Sequence, residues 1–347
     1  MDGPNSFLGC LHMDQLSISD TTWRGLPAWR ISGNRLSAVV SGIGGHLAAL
    51  TCIDDAINPL WEPHWPTGDP AAVRPGPGCP WGDGPEATLL AGIAGSNLCI
   101  PVFGDPPDGS GLPVHGDAGV SRWNRSGGCA PDVAAFTVRT PVSGLSIERR
   151  VRLAGDELEL ATSVRHDQPG PLALDWCEHT TLGGDFLDGL VITAGIDAVW
   201  STGKEGVQQA QPQRRSPARF PSGSQIAPAE ALAVPADGDP PCGDVLAARV
   251  AEGWWEARNP RLGRVLTARW ERDDFPWLAI WTQHRERTML PWAGRERTRG
   301  MEMSSKPFPE PRSRAGADGT WQGRPVLCHV PPGVGLTRTV RFAWSRL

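Results

Sequence analysis

Hydrophobic and polar residues alternate along short stretches of the chain, most clearly in the segment ELELATSVR at 157–165. A period of two places successive side chains on opposite faces of a β-strand, so that one face can be buried. Neighbouring stretches of the same kind predict a meander of antiparallel strands. The predicted strands are 133–139, 145–153, 157–165, 172–178, 190–200, 245–251, 264–271, 277–283, 325–330 and 336–344.

Closer to the start of the chain, the segment WRISGNRLSAVVSGIGGHLAAL at 29–50 contains two apolar runs separated by glycines and predicts a β-hairpin. An alternative interpretation takes the glycines of 42–45 as the beginning of a dinucleotide-binding fingerprint. It is disfavoured because the third glycine of G-x-G-x-x-G would fall on Leu47 and no clear helix follows. Residues 54–88 are rich in Pro, Gly and Trp and are expected to run over the surface as a long excursion.

The composition supports a mainly β protein. The chain of 347 residues contains 42 glycines and 34 prolines, a density that interrupts long helices and favours short strands joined by turns. Hydrophobic residues make up 39% and charged residues 20%, which is enough to build a core. Neither an internal repeat nor a clear boundary divides the sequence. We therefore expect one domain over 1–347, with 204–244 as a long polar, proline-rich insert.

Charge and apolar content narrow the range of partners. The net charge of -5 and the scattered arginines argue against a nucleic-acid-binding surface. The basic stretch Arg285 to Arg299 is interleaved with Glu286 and Glu296, so it is expected to be a solvated, self-paired surface. No apolar run is long enough to cross a membrane, and the first residues do not form a signal peptide, which predicts a cytoplasmic protein with no membrane partner.

The eight cysteines are widely spaced and include no C-x-x-C pair, the pattern that would suggest a zinc site or a redox dithiol. They are expected to be buried or incidental thiols. A different metal site could gather Asp175, Glu178, His179 and Asp185, but Glu178 and His179 point to opposite faces of a strand and no H-E-x-x-H is present. We predict no metal. A serine nucleophile is disfavoured as well, because no G-x-S-x-G occurs.

Two histidines have surroundings suited to chemistry. His115 follows a possible strand end and enters a tight turn with Gly116, where it could make either a structural hydrogen bond or a binding contact. His179 lies at the end of the predicted strand 172–178, a position that holds a side chain rigidly while leaving it open to a ligand. An imidazole can give or take a proton near neutral pH.

Glu302 and the tryptophans are further candidates. In a strand, Met301 and Met303 share one face, so Glu302 points the other way. Tyrosine is absent and tryptophan numbers 16, so any aromatic platform for a sugar would use Trp, Phe or His. Trp281 and Trp292 are the first candidates for stacking. Trp277 and Trp281 would share one strand face, so both could instead be core residues.

Four motifs occur in an order that resembles the aldose 1-epimerase (galactose mutarotase-like) superfamily, and more closely its divergent bacterial sugar-epimerase-like branch. They are VVSGIGGHLAAL, then NLCIPVFGDP followed by LPVHGDAGVSRW, then WCEHTTLGGDFL, and finally GMEMSSKPFPEP. The resemblance extends from roughly residue 30 to the end of the chain, with 204–244 as the poorest match. Each motif alone has low specificity, and their order makes the resemblance more specific.

The resemblance implies a single antiparallel β-supersandwich with a carbohydrate cleft across one concave sheet. It implies that His179 is a general acid, that Glu302 is a general base, and that His115 of the HG motif contacts the sugar. Such an enzyme is a cofactor-independent sugar mutarotase whose partner is a small sugar, and we expect a monomer or homodimer. The residues we predict to bind the substrate are His115, Asn97, Trp281, Asp185 and Arg122.

Several positions depart from the family pattern. Asn97 lacks the adjacent arginine of the best-known mutarotases, Asp117 replaces a glycine after the HG motif, and the segment after His179 lacks the usual asparagine and aromatic residues. Galactose is therefore not the expected substrate. Two alternatives remain open, namely an acid/base isomerase or lyase acting on a modified sugar, and a non-catalytic carbohydrate-binding protein on the same fold.

Overall fold

A computed structural model describes residues 16–127, 130–201, 225–309 and 319–347. Antiparallel strands dominate this part of the chain, as the alternation predicts. Of the expected insert at 204–244, residues up to 224 lie outside the described part. The remainder contains one short strand and one short helix before a long strand begins.

The strands are β1 (Ser17–Trp23), β2 (Leu26–Ser32), β3 (Leu36–Ser41), β4 (Leu47–Cys52), β5 (Ser96–Cys99), β6 (Asn124–Arg125), β7 (Ala134–Arg139), β8 (Ser146–Ala154), β9 (Glu157–Arg165), β10 (Leu172–Leu174), β11 (Cys177–Gly183), β12 (Val191–Ser201), β13 (Gln225–Ile226), β14 (Cys242–Asn259), β15 (Arg264–Trp270), β16 (Trp277–His284), β17 (Arg297–Ser304), β18 (Thr320–Trp321), β19 (Arg324–Pro325), β20 (Cys328–Val330) and β21 (Leu336–Arg346). The helices are α1 (Ala87–Gly92) and α2 (Pro228–Ala231), with 3-10 turns at Pro70–Ala72, Ala118–Val120 and Gly184–Leu187.

The strand pairings form two layers that share one strand. The first layer runs in the order β1-β2-β3-β4-β5-β11-β17-β16-β14. The second runs β14-β15-β21-β9-β8-β7-β6. The first part of β14 pairs with β16 and its last part with β15, so this strand passes from one layer to the other. The predicted antiparallel β-supersandwich is confirmed.

The main core lies between the two layers. On β17, Met301 and Met303 are fully buried in it, and the Met303 sulfur accepts a hydrogen bond from Trp255 Nε1 at 3.3 Å. A buried ion pair also crosses this core, where Arg149 Nη2 of β8 donates to Glu178 Oε2 of β11 at 2.6 Å. The alternation along β11 and β17 therefore leaves the residues between these core positions on the other face of the first layer.

The predicted strand 172–178 is wrong in its limits. The chain forms β10, breaks at Asp175, and then forms β11 through to Gly183. The break occurs because the Asp175 carboxylate accepts hydrogen bonds from the Phe103 amide at 3.1 Å and from Lys306 Nζ at 2.7 Å. As a consequence, His179 lies inside a strand that is paired on both sides and not at a strand end.

The segment 54–88 runs mostly over the surface, as predicted, although it buries Trp61 and Trp65. The prediction of a solvated basic stretch is wrong, because Arg287 and Arg299 are buried. Arg287 lies 4.6 Å above the ring of Trp292, where a guanidinium can stack on an aromatic face.

Arg299 turns inward because its two terminal nitrogens donate to Thr282 Oγ1 and to the Ala231 carbonyl, both at 2.5 Å. In the described part of the chain, none of the helices has the length and hydrophobicity that a membrane span requires.

Candidate active site

Three polar residues form a row across the middle of the first layer. His179 of β11 lies directly opposite Asn97 of β5 on one side and opposite Glu302 of β17 on the other. Directly opposed residues of antiparallel strands project to the same side of a sheet, so the three side chains share a face. It is the face turned away from the core that holds Met301 and Met303.

His179 and Glu302 are in direct contact, with Nε2 of the imidazole 3.2 Å from Oε1 of the carboxyl group. Both residues are almost completely enclosed, at 5% and 2% exposure. The other ring nitrogen of His179, Nδ1, lies 3.2 Å from the hydroxyl of Thr181. Thr181 therefore fixes the ring orientation and leaves Nε2 to share a proton with Glu302.

Burial shifts the two groups in opposite directions. It raises the pKa of Glu302 well above its usual 4.5, and negative charge on Cys99 adds to the rise. It lowers the pKa of His179 well below its usual 6.5, and positive charge on His115 adds to the fall. Attraction across the 3.2 Å contact opposes both shifts. Burial therefore favours the neutral form of the pair, in which Glu302 carries the proton and His179 does not.

Asn97 has an unused hydrogen-bonding atom in this row. The side chain is fully buried and its Nδ2 donates to the Cys99 sulfur at 3.4 Å, whereas its Oδ1 has no hydrogen-bond partner among the residues that the structure describes. Most buried polar atoms in folded proteins do have a partner, because leaving one unpaired costs free energy. An unpaired acceptor beside His179 suits a hydroxyl group of a ligand.

His115 is delivered by a turn that its glycine permits. Its backbone is left-handed (φ 63°) and so is that of Gly116 (φ 80°), where a Cβ atom would lie 2.2 Å from the Ile100 carbonyl oxygen. His115 Nδ1 accepts a hydrogen bond from the Gly104 amide at 3.1 Å. The ring is half-buried, and its centroid lies 5.3 Å from that of His179.

Asp117, which departs from the family pattern, anchors this turn. Its carboxylate is buried and accepts hydrogen bonds from the Val142 amide at 2.9 Å, the Ser143 amide at 2.8 Å and the Ser143 hydroxyl at 2.7 Å. The aspartate therefore ties the HG turn to the loop between β7 and β8. A glycine at this position would accept none of these side-chain hydrogen bonds, so Asp117 has a structural role that the glycine of the family pattern does not have.

Of the two tryptophans expected to stack on a ligand, only Trp281 has a partly open ring. Trp281 is half-buried, and its ring centroid lies 5.9 Å from that of His179. Trp292 is 3% exposed and packs parallel to Trp61 with centroids 5.7 Å apart. Trp292 therefore packs edge-to-face against Trp281, with ring centroids 5.9 Å apart, and is too buried to stack on a ligand.

The remaining predicted residues lie elsewhere. Asp185 is exposed in the 3-10 turn that follows β11, six residues beyond His179. Arg122 is exposed and forms an ion pair with Asp69.

The four residues of the disfavoured metal interpretation do not form one cluster. Asp175 is paired with Lys306, and Glu178 faces the opposite side of the sheet from His179, paired with Arg149.

Gly300 is a site residue that the sequence analysis did not identify. A Cβ atom at this position would lie 2.4 Å from Oε1 of Glu302 and 2.9 Å from Cβ of Trp281. Because Gly300 has no side chain, the Glu302 carboxyl group can occupy this position. A signal was available, because a glycine inside a strand often marks a close approach of another group.

Comparisons with known proteins support the fold. No family model matches the sequence, and no curated protein matches it. Among solved structures, a galactose mutarotase-like protein from Clostridium acetobutylicum superposes with a TM-score of 0.64 at 11% identity, over 96% of this chain and 99% of that one.

Two other solved structures give similar values. A Salmonella typhimurium protein proposed to be a mutarotase, YeaD, has a TM-score of 0.63 at 11% identity, over 95% of this chain and 94% of that one. A Klebsiella pneumoniae protein proposed to be an aldose 1-epimerase has a TM-score of 0.65 at 13% identity, over 95% and 84%. The protein described here has the galactose mutarotase-like fold.

Proposed function

We propose that this protein is a cofactor-independent aldose 1-epimerase, which interconverts the anomers of a sugar through its open-chain form. The observation that carries the proposal is the buried contact between His179 and Glu302, 3.2 Å apart on neighbouring strands. The Asn97 oxygen without a partner supports it, because it is an acceptor for a sugar hydroxyl in the same row. Fold similarity at 11–13% identity supports the architecture alone.

The reaction requires an acid and a base side by side. Opening a cyclic hemiacetal removes the proton from the hydroxyl oxygen O1 and adds a proton to the ring oxygen O5. Both oxygens are bonded to the same carbon, C1, so the groups that serve them must be neighbours. The opposed positions of His179 and Glu302 meet this requirement. A concerted transfer avoids a free alkoxide and a free oxonium ion.

The proton count of the pair also fits. Transfer of the shared proton from Glu302 to His179 across their contact produces a carboxylate and an imidazolium. Glu302 then takes the O1 proton, His179 gives its proton to O5, and the C1–O5 bond breaks. After rotation about C1–C2, the two groups exchange roles, and O5 attacks the other face of the aldehyde. The pair ends with the one proton with which it began.

The neighbouring residues would bind and orient the sugar. The half-buried ring of Trp281 is placed to pack against the C–H face of the sugar beside His179. His115 has its Nδ1 occupied by the Gly104 amide, so its Nε2 carries the hydrogen, which the Cys99 sulfur and a sugar hydroxyl would share. Asp185 and Arg122, which lie outside this cluster, are not part of the proposed site.

Proton NMR exchange between the α and β anomers tests the proposal directly. A panel of neutral and acidic aldoses is measured with and without catalytic amounts of protein, at a pH where spontaneous mutarotation is slow. The variants are His179→Gln and Glu302→Gln. Matched controls change a histidine and a glutamate away from the site, His329→Gln on β20 and Glu256→Gln on β14.

We expect faster exchange for at least one sugar with the wild-type and control proteins. Loss of general acid–base catalysis corresponds to a fall of roughly 100-fold to 10,000-fold in each site variant. Sugar affinity, measured by calorimetry, is expected to change little. Binding without accelerated exchange would contradict the enzyme and favour the carbohydrate-binding alternative. Conversion of a sugar acid or phosphate to a product other than its anomer would favour the isomerase or lyase.

A further inference from the structure

Two cysteines face each other at the edge of the site. Cys99 of β5 and Cys177 of β11 are directly opposed in the antiparallel ladder, and both are free thiols with no exposed surface. Opposed residues in such a ladder have Cα atoms about 4.5 to 5.5 Å apart, which lies within the range of a disulfide. The sequence alone does not reveal this pair, because 77 other residues separate the two cysteines.

The surroundings of the pair are part polar and part apolar. Phe103 and Ala279 form a small buried cluster with the two cysteines. Asn97 Nδ2 donates to Cys99 Sγ at 3.4 Å, so the thiol pair lies two residues from the row formed by Asn97, His179 and Glu302. The pair is therefore a neighbour of the proposed catalytic groups and not a member of them.

The two thiols differ in acidity. Burial raises the pKa of Cys99, but the Cys177 thiol and His115 act against burial and hold it at about 6, below the usual 9.0. Burial and the negative charge of neighbouring groups raise the pKa of Cys177 well above 9.0. His115 acts on Cys99 both through its charge and through a hydrogen bond to the sulfur, and both favour the thiolate. Cys99 is therefore favoured as the attacking thiolate, and Cys177 remains a protonated thiol beside it.

We propose that Cys99 and Cys177 form an oxidisable dithiol that hydrogen peroxide converts to an intramolecular disulfide between β5 and β11. The Cys99 thiolate attacks one oxygen of the peroxide, an S–O bond forms, the O–O bond breaks, and hydroxide leaves and is protonated to water. The Cys177 sulfur then attacks the sulfenic sulfur of Cys99. The S–S bond forms as the S–O bond breaks, and a second water leaves with the Cys177 proton.

We expect an oxidant to reach Cys99 past His115, which is half-buried and forms a hydrogen bond with the Cys99 sulfur. Hydrogen peroxide is small and polar enough to take the place of a water molecule there. A bulky hydroperoxide is expected to react more slowly. The disulfide would remove the Cys99 thiolate that acts on Glu302 and His115, so oxidation is expected to change the proton affinity of the site.

The test is peptide mass spectrometry of the folded protein after treatment with hydrogen peroxide and alkylation of the remaining thiols. We expect a peptide pair joined through Cys99 and Cys177, lighter by two hydrogens, that dithiothreitol separates. Cys99→Ser and Cys177→Ser each remove it. The exposed Cys242 reports that peroxide reached the protein, and the buried Cys328 serves as the unpaired control.

Recovery of Cys99 and Cys177 as alkylated thiols, under conditions that oxidise Cys242, would overturn the proposal. Oxidation of Cys99 to sulfinic acid without the crosslink would overturn it as well. Circular dichroism shows whether each variant is folded, and cumene hydroperoxide provides the bulky oxidant. The readout is a mass and not a turnover rate, so the result stands whether or not the protein proves to be an epimerase.

Discussion

At the scale of single residues, Glu302 is buried because the strand that carries it is buried on both faces. Its neighbours Met301 and Met303 pack into the core between the layers, whereas Glu302 faces His179. A carboxyl group enclosed in this way loses its hydration, and burial raises its pKa. The raised pKa of Glu302 makes the stability of the folded protein depend on pH, in addition to its effect on proton transfer.

We expect Glu302→Gln to be more stable than the wild type at neutral pH. Between pH 4.5 and the raised pKa, the folded protein keeps a proton that the unfolded chain releases, so wild-type stability falls as the pH rises. Glutamine does not titrate. Thermal unfolding from pH 5 to pH 8 should therefore show an advantage of the variant that grows with pH. A constant difference would contradict the raised pKa, and Glu256→Gln is the control.

Gly300→Ala is expected to disable the site while the protein remains folded. The added methyl group would meet Oε1 of Glu302 at 2.4 Å and force the carboxyl group away from His179. A displacement of this kind can reduce a catalysed rate by about 100-fold. Anomer exchange and circular dichroism are measured together. Gly335→Ala, where a Cβ meets nothing within 4 Å, is the control. Unchanged exchange in Gly300→Ala would remove Glu302 from the mechanism.

At the scale of elements, β11 is held between two neighbours and pinned to the other layer. Its His179 side faces Asn97 and Glu302, while Glu178 reaches across the core to Arg149 on β8. The hydroxyl of Thr162 on β9 also donates to Glu178, at 3.1 Å. These contacts fix the register of β11, and with it the position of His179.

Removing one partner of the buried ion pair between Arg149 and Glu178 should destabilise the folded protein. Arg149→Met or Glu178→Leu alone leaves an uncompensated buried charge, and we expect each to lower the free energy of unfolding by about 3 to 5 kcal/mol. The double variant should lose less than the sum of the two. Urea unfolding of the four proteins measures the coupling. Additive losses would show that Arg149 and Glu178 do not stabilise each other.

At the scale of the whole molecule, β14 joins the two layers. Its first residues pair with β16 and its last with β15, and the change of partner falls near Gly253. A Cβ atom there would lie 2.0 Å from the Trp270 carbonyl oxygen. The absence of a side chain allows the strand to pass close to β15 as it changes layers.

Because β14 belongs to both layers, we propose that the chain unfolds as one domain. Tryptophan fluorescence and far-ultraviolet circular dichroism should report the same transition in urea. Gly253→Ala should shift both signals together, with a loss of roughly 2 kcal/mol or more from overpacking. Two separate transitions would show that the layers are independent units. Gly335→Ala again serves as the control.

Local pattern was sufficient for much of the fold. The alternation at 157–165 and the glycine-separated runs of 29–50 predicted strands that the structure contains, because such patterns are properties of neighbouring residues alone. The limits of β11 were missed because Asp175 is drawn out of the strand by Phe103 and Lys306, which are distant in sequence. The buried arginines of 285–299 were missed for the same reason.

By itself, the sequence determined which side chains could act, since it placed a histidine and a glutamate in motifs and turned Glu302 away from its methionines. Only the tertiary structure decided that His179 and Glu302 touch and that Cys99 lies opposite Cys177. It also decided that the oxygen of Asn97 lies beside His179 without a partner in the described part of the chain. The physical reason is register. The register of two strands determines which of their residues lie opposite each other. It depends on the packing of both layers, so a local pattern of hydrophobic and polar residues does not specify it.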